Sequence, residues 1–376
     1  MNMLLKVLVV SDVSLGYGTP QILRLANSIA ERIPSSVLVL EPDQPERPKP
    51  SEKLGPQNLI IRRIYTATHP YSGAGLIEYV LAAKSVVEDF DADIFIGASH
   101  AGVRVAAISN LGDRSVNMLY CLEDAGSPLF DDCTIPTAAG KWDIVAFPEE
   151  NRAKKYHAEL GLSRPTDTIV AYNANSKKRT VQLASRNGRV FYGGLVSEKT
   201  TLAKYFAKIA DFPIDVFGNI DGLGSKDAFL KHFTVPGGIT YKGYFKADDK
   251  FFETLSQYVY SIVGWMPVRF DFLNAAPNKF FDAVACGVPP ICAPHPQCVE
   301  LIEKWHCGLL MDDWSFASFK STVEKALQIA GTDYYAELVH NCQRAMEEEL
   351  SWDRQFDKLL PLIERHLAKK GRTSVR

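Results

Sequence analysis

The chain of 376 residues has no excess of either charge: 42 Lys and Arg stand against 44 Asp and Glu, a formal net charge of −2. That balance excludes the basic footprint of a nucleic-acid binder. No apolar run reaches the length of a membrane span. The seven cysteines (Cys121, Cys133, Cys286, Cys292, Cys298, Cys307, Cys342) form no CxxC pair, and most lie in apolar settings such as Ala285-Cys286-Gly287. They read as reduced packing residues of a cytoplasmic protein. No set of His, Asp and Glu has metal-ligand spacing, so no metal or other cofactor is expected. Met1–Val10 lacks a basic leader and a small-residue cleavage site and runs into Ser11-Asp12; it reads as a first strand. Low-complexity segments and internal repeats are also missing.

What the chain does have is an alternation of strand and helix signals, with 46% hydrophobic residues. That is the pattern of an α/β protein with parallel sheets. Leu5–Val10 and Asp93–Gly97 are continuous apolar runs, expected of strands covered on both faces. The length exceeds one ordinary core, and four parts are expected: a first Rossmann-like domain over 1–173, a polar linker over 174–188, a second Rossmann-like domain over 189–351, and a last helix and tail over 352–376 that return to the first domain. Glu41–Gln57, crowded with Pro, Lys and Glu, reads as an exposed loop, and the basic tail from Ala368 as frayed.

In open α/β sheets ligands gather beyond the carboxyl ends of the strands, so candidate residues are those that follow strands. The fullest signal is the stretch from Asn274 to Pro290. Pro277 suits a helix start and Gly287 the left-handed residue that ends one. Phe280, Phe281 and Val284 would face a core, while Asn274, Asn278 and Asp282, four apart, would share the other side. A helix N-terminus attracts phosphate, and Lys279 adds a full charge. Asp282, about one turn on, could accept from sugar hydroxyls. An ordinary helix of an α/β domain can carry the same residues.

Other strand ends add weaker candidates. Gly16 and Gly18 follow the first strand as a lone GxG, but position 21 is Gln, so a tight turn lining a cleft is favoured over a dinucleotide loop. His100 could orient a sugar or shuttle a proton, or be a surface-loop histidine. Glu123 and Asp124 could supply a general base, or cap a helix. Lys199 could clamp a diphosphate or be solvated, Gly243 and Tyr244 follow a strand, and Arg269 could add a contact. His157, His295 and His306 are scattered singly and read as structural.

In order of parts the chain resembles the GT-B glycosyltransferases, especially the "group 1" nucleotide-sugar family. Gly193-Gly194-Leu195-Val196-Ser197-Glu198-Lys199 is similar to that family's Gly-Arg-Leu-x-x-Glu-Lys phosphate loop, and Ile239–Gly243 to its strand beside the nucleobase. Pro277–Pro290 resembles its Glu-Ala-Met-Ala-x-Gly-x-Pro helix, with Asp282 in the place of the ribose-binding Glu. Ser351-Trp352 matches the Ser-Trp before the final helix. Two positions depart from the pattern: Gly194 stands where the family has a phosphate-binding Arg, and Asn274 where it has its first acid.

The resemblance implies two Rossmann-like domains facing across a cleft, and a metal-independent transfer of sugar from a nucleoside diphosphate sugar, UDP favoured, to a hydroxyl. Relatives with Pro-Asn-Lys in this helix occur in bacterial polysaccharide pathways, whose acceptors are often lipid-linked; peripheral membrane contact is then an expectation. Retaining and inverting chemistry both stay open. So do two alternatives, a sugar-nucleotide epimerase or hydrolase of the same fold and a non-catalytic nucleotide-sugar-binding subunit.

Overall fold

The computed structural model describes residues 4–16, 20–44, 54–70, 72–120, 140–159, 166–176, 178, 180–221, 236–244 and 249–372. Gly18, Glu123, Asp124, Cys121 and Cys133 lie outside the described residues. The chain divides into two units, Met1–Tyr172 with Phe356–Arg376, and Asn173–Gln355.

The first unit runs β1 (Leu5–Val10), α1 (Pro20–Arg32), β2 (Ser35–Pro42), β3 (Leu59–Ile64), α2 (Gly73–Phe90), β4 (Ile94–Ala98), α3 (Ser99–Ile108), β5 (Val116–Tyr120), β6 (Ile144–Phe147), α4 (Glu150–Glu159) and β7 (Asp167–Val170). Its seven strands are all parallel in the order β3-β2-β1-β4-β5-β6-β7. The order reverses between β1 and β4, so the loops after those two strands diverge and leave a crevice. Leu8, Val10, Phe95 and Leu119 from the strands pack with Tyr79, Ala83 and Val105 from the helices. Each such burial contributes roughly 1.5–3 kcal/mol for the larger side chains.

The second unit runs β8 (Val190–Gly193), β9 (Val196–Ser197), a 3₁₀ helix (Leu202–Ile209), β10 (Ile214–Phe217), β11 (Ile220–Asp221), β12 (Thr240–Gly243), α5 (Asp249–Leu255), β13 (Tyr260–Val263), α6 (Phe270–Leu273), α7 (Asn278–Ala285), β14 (Pro290–Cys292), α8 (Pro296–Trp305), β15 (Leu309–Leu310), α9 (Phe316–Ile329) and α10 (Asp333–Ala345). Six parallel strands take the order β12-β10-β8-β13-β14-β15, reversing between β8 and β13. Successive residues of β8 point to opposite faces. Val190 and Tyr192 join one core with Phe206 and Phe319, and Phe191 joins the other with Phe251 and Leu255.

The last helix, α11 (Trp352–Lys369), starts in the second unit, and its residues from Phe356 belong to the first. Aspartates at three strand starts of the first unit hold it by charge. Lys370 lies 2.9 Å from Asp143, Arg372 3.0 Å from Asp93, and His366 Nε2 2.6 Å from Asp167, which also pairs with Arg365. The expected fraying from Ala368 is therefore corrected through Arg372: Lys370 and Arg372 are tethered because the amino ends of parallel strands concentrate aspartates there.

Two further expectations are revised. Glu41 and Pro42 end β2, and Glu41 is fully buried, where its carboxylate is met by the Leu15 N–H and the Arg63 guanidinium. The stretch from Asn274 to Pro290 is also shorter as a helix than its spacing predicts. Pro277 is the cap residue, with extended backbone, and Asn274 ends the separate turn α6. Asn274 thus shares no helix face with Asn278 and Asp282. Gly287 does take the left-handed conformation, at φ +64°.

Candidate functional site

The carboxyl edge of the second sheet is built around Lys279, in the first turn of α7. Its ammonium lies 4.5 Å from the centre of the Tyr192 ring and 5.0 Å from that of Trp265, and it donates to the Tyr192 hydroxyl at 3.4 Å. Tyr192 is in β8 and Trp265 just beyond β13, the two strands flanking the reversal of strand order. A charge held over the negative faces of two rings is a stable arrangement for a half-buried lysine. Burial nevertheless pushes its pKa down from 10.5 to about 8.

Gly194 makes this arrangement possible. Its backbone has φ +124°, and a Cβ there would lie 2.6 Å from Lys279 Cε and 3.1 Å from Nζ. A side chain at 194 and a lysine at 279 compete for the same space. The space left by the absent side chain at 194 is thus filled by a cation from the helix. Around it the strand ends are laced together, Gly194 N–H to the Phe217 carbonyl at 2.9 Å and Gly218 N–H to the Gly243 carbonyl at 2.8 Å. Gly243 has φ +95°, and Tyr244 beyond it is 64% exposed.

Asp282 lies further along α7. Its Oδ1 accepts from Asn175 Nδ2 at 2.9 Å, while Asn175 Oδ1 accepts from the Ser176 N–H, which fixes the direction of the amide. Asn175 also accepts from Trp352 N–H through its carbonyl. A polar residue between the two domains in sequence therefore aims the carboxylate.

The remaining sequence candidates of this unit are placed differently. Arg269 is folded onto Asp271, with hydrogen bonds of 3.1 and 2.6 Å, and stacks over Phe272 at 4.6 Å. Asn274 is buried and donates to the Phe270 carbonyl. Asn278 opens α7, and Lys199 is exposed in the turn after β9.

In the first unit, Gly16 has φ +86° in the loop after β1. His100 is buried in the first turn of α3, beyond β4, contrary to a surface-loop reading. Its Nδ1 lies 3.7 Å from the carboxylate of Asp12, which follows β1. These two strands also flank a reversal of strand order. Desolvation, with a smaller contribution from Arg104, pushes the His100 pKa down to about 4, so the imidazole is neutral near pH 7. Glu41 fixes the loop after β1: its Oε2 accepts from the Leu15 N–H at 2.6 Å and its Oε1 pairs with Arg63. Desolvation raises its pKa.

Sequence reasoning missed Tyr192, Trp265 and Asn175 in the second unit and Asp12 and Glu41 in the first. One signal was available: Tyr192 and Trp265 are aromatics adjoining the glycines that end strands. Asn175 and Glu41 act through contacts distant in sequence and left none. A cavity of about 360 Å³ lined by Asn110, Asp113, Lys141, Asp143 and Lys370 lies at the opposite, amino ends of the first sheet's strands.

No family model matches the chain, and no curated protein matches it in sequence. Solved structures do. Sucrose-phosphate synthase from Thermosynechococcus elongatus superposes with a TM-score of 0.71 at 12% identity, over 97% of this chain and 100% of that one. HepE (Alr3699) of Anabaena, solved with UDP and glucose, gives 0.67 at 15% identity over 95% and 98%. The lipopolysaccharide outer core galactosyltransferase WaaB gives 0.61 at 11% over 95% and 99%. Likeness at such identities is a likeness of fold: the chain has the α/β architecture of GT-B glycosyltransferase structures, with two Rossmann-like units.

Proposed function

We propose that the chain is a glycosyltransferase that takes its sugar from a UDP-sugar. The observation that carries this reading is the Lys279 ammonium, held between Tyr192 and Trp265 in the space left by Gly194, where strand order reverses. The ammonium and the positive end of the α7 dipole are suited to a diphosphate, and the Asn175-oriented carboxylate of Asp282 to ribose hydroxyls. The UDP bound to HepE, a chain of the same fold, favours uridine as the base.

In the transfer, the bond between the sugar's anomeric carbon and the diphosphate oxygen breaks, and its electron pair leaves with UDP. Lys279 and the helix terminus stabilise that charge as it develops. The acceptor oxygen bonds to the anomeric carbon, and its proton passes to a base. Asn274 cannot carry the negative charge of the acid it replaces, which favours inversion with a base from the first unit. His100, neutral at pH 7 with Nδ1 3.7 Å from the Asp12 carboxylate, is one candidate for that role; Asp124 and Glu123 are the others.

Thermal-shift measurements with UDP, GDP, ADP and CMP sugars test the donor. A UDP-sugar should raise the melting temperature, and a shift by none of them would overturn the reading. Product analysis with donor alone and with saccharide or lipid-linked acceptors then tests the reaction: turnover of donor alone would make the chain an epimerase or hydrolase.

A further inference from the structure

His295 follows β14, is fully buried, and belongs to none of the groups assigned above. Both of its ring nitrogens are engaged, and with the two ends of one loop. Nε2 receives the Trp265 N–H at 3.0 Å, and Nδ1 lies 3.1 Å from the Leu273 carbonyl. A carbonyl only accepts, so Nδ1 carries the proton and Nε2 is the acceptor. The neutral Nδ1–H tautomer alone satisfies both bonds; an imidazolium would turn Nε2 into a donor facing a donor.

The loop so gripped carries the aromatic wall of the Lys279 site. Trp265 stacks on Phe272 with ring centres 5.3 Å apart and 17° between planes, and Phe272 adjoins Leu273. The Trp265 carbonyl accepts from Trp314 Nε1 at 3.0 Å, and the His295 ring meets the Trp314 ring edge-on at 5.8 Å. Both backbone groups of Trp265 are therefore held by side chains that also pack on each other, so the indole has a fixed place over the ammonium.

We propose that His295 is a positioning residue for the donor diphosphate: by joining Trp265 to Leu273 it fixes the Trp265–Phe272 stack, and through that stack the ammonium of Lys279. The inference rests on the donor reading of the Lys279 site. It differs from a purely structural role in what it predicts for ligands, because only a ligand with a diphosphate uses the ammonium.

The test is calorimetric titration of the full chain with UDP, alongside uridine binding by ligand-observed NMR, for the wild type, H295Q and H295N. Glutamine can place an acceptor near the Nε2 position, and asparagine a donor near the Nδ1 position. H295Q should keep UDP affinity within about twofold, by retaining the bond to Trp265. H295N should weaken UDP by about threefold to thirtyfold, the range of one ring–cation contact, and leave uridine unchanged. Peptides over 264–276 should exchange amide hydrogen faster in H295N than in H295Q. Equal UDP affinity in H295N and the wild type would overturn the inference and leave the donor site standing, as would equal losses for UDP and uridine. A wild type that binds no UDP would overturn the donor site, and the inference with it.

Discussion

The two larger sheets share a plan and differ in charge. Each is wholly parallel and reverses its strand order once, and each places its polar side chains beyond the carboxyl ends of the strands at that reversal. In the first unit those are a neutral imidazole and a buried carboxylate, His100 and Asp12, with Glu41 of β2 holding the loop after β1. In the second they are an ammonium between two rings, a glycine that leaves it room, and a carboxylate aimed by an amide. Topology fixes where a ligand can be met. The side chains decide which: on the function proposed above, the second edge would take a diphosphate, and the first a group that loses a proton.

The largest break in that contrast should come from Lys279→Met, which keeps the stem and removes the charge. UDP affinity should fall on the order of 100-fold or more by calorimetry, since a charge-assisted contact to phosphate is lost. A loss below about threefold would remove the distinction between the units.

Gly194→Ala should weaken UDP by roughly tenfold, because the new methyl group displaces the Lys279 stem and strains a left-handed backbone. In a Lys279→Ala background the same substitution should cost much less. Additive losses in this double-mutant cycle would show that Gly194 acts independently of the lysine.

pH sharpens the comparison further. With its pKa near 8, Lys279 loses its charge as pH rises, so UDP should bind about tenfold more weakly at pH 9 than at pH 7. The unliganded protein responds oppositely. Between about 8 and 10.5 the unfolded chain binds more protons at this lysine than the folded chain does, so this group's contribution to stability rises with pH. UDP titrations and urea melts from pH 7 to 9.5 measure the two trends.

The smallest effect on donor affinity belongs to the first unit. Asp12→Asn and His100→Asn should leave the Kd for UDP within about twofold while lowering turnover on the order of 100-fold, as expected when a general base is impaired. A large loss of UDP affinity in either variant would mean that the first edge also holds the diphosphate.

Much of this was legible in the sequence. Continuous apolar strands separated by amphipathic helices specified parallel sheets, and glycines after strands marked the carboxyl edges of those sheets. Pro277, Lys279 and Gly287 specified a short helix with a charged start, although Asn274 fell outside it because the chain turns at Pro277. Charge state was not legible. Lys279 and His100 owe their shifted pKa values to desolvation, which depends on neighbours from other strands. The roles of Asn175 and Glu41 were hidden for the same reason: a single hydrogen bond between residues distant in sequence has no local pattern.

A crystal structure of the chain with UDP is the most direct test of the central claim. A diphosphate oxygen should lie within about 3.2 Å of Lys279 Nζ, at the start of α7, with the ribose toward Asp282. Density for UDP elsewhere on the second unit, with Lys279 still closed between Tyr192 and Trp265, would contradict it.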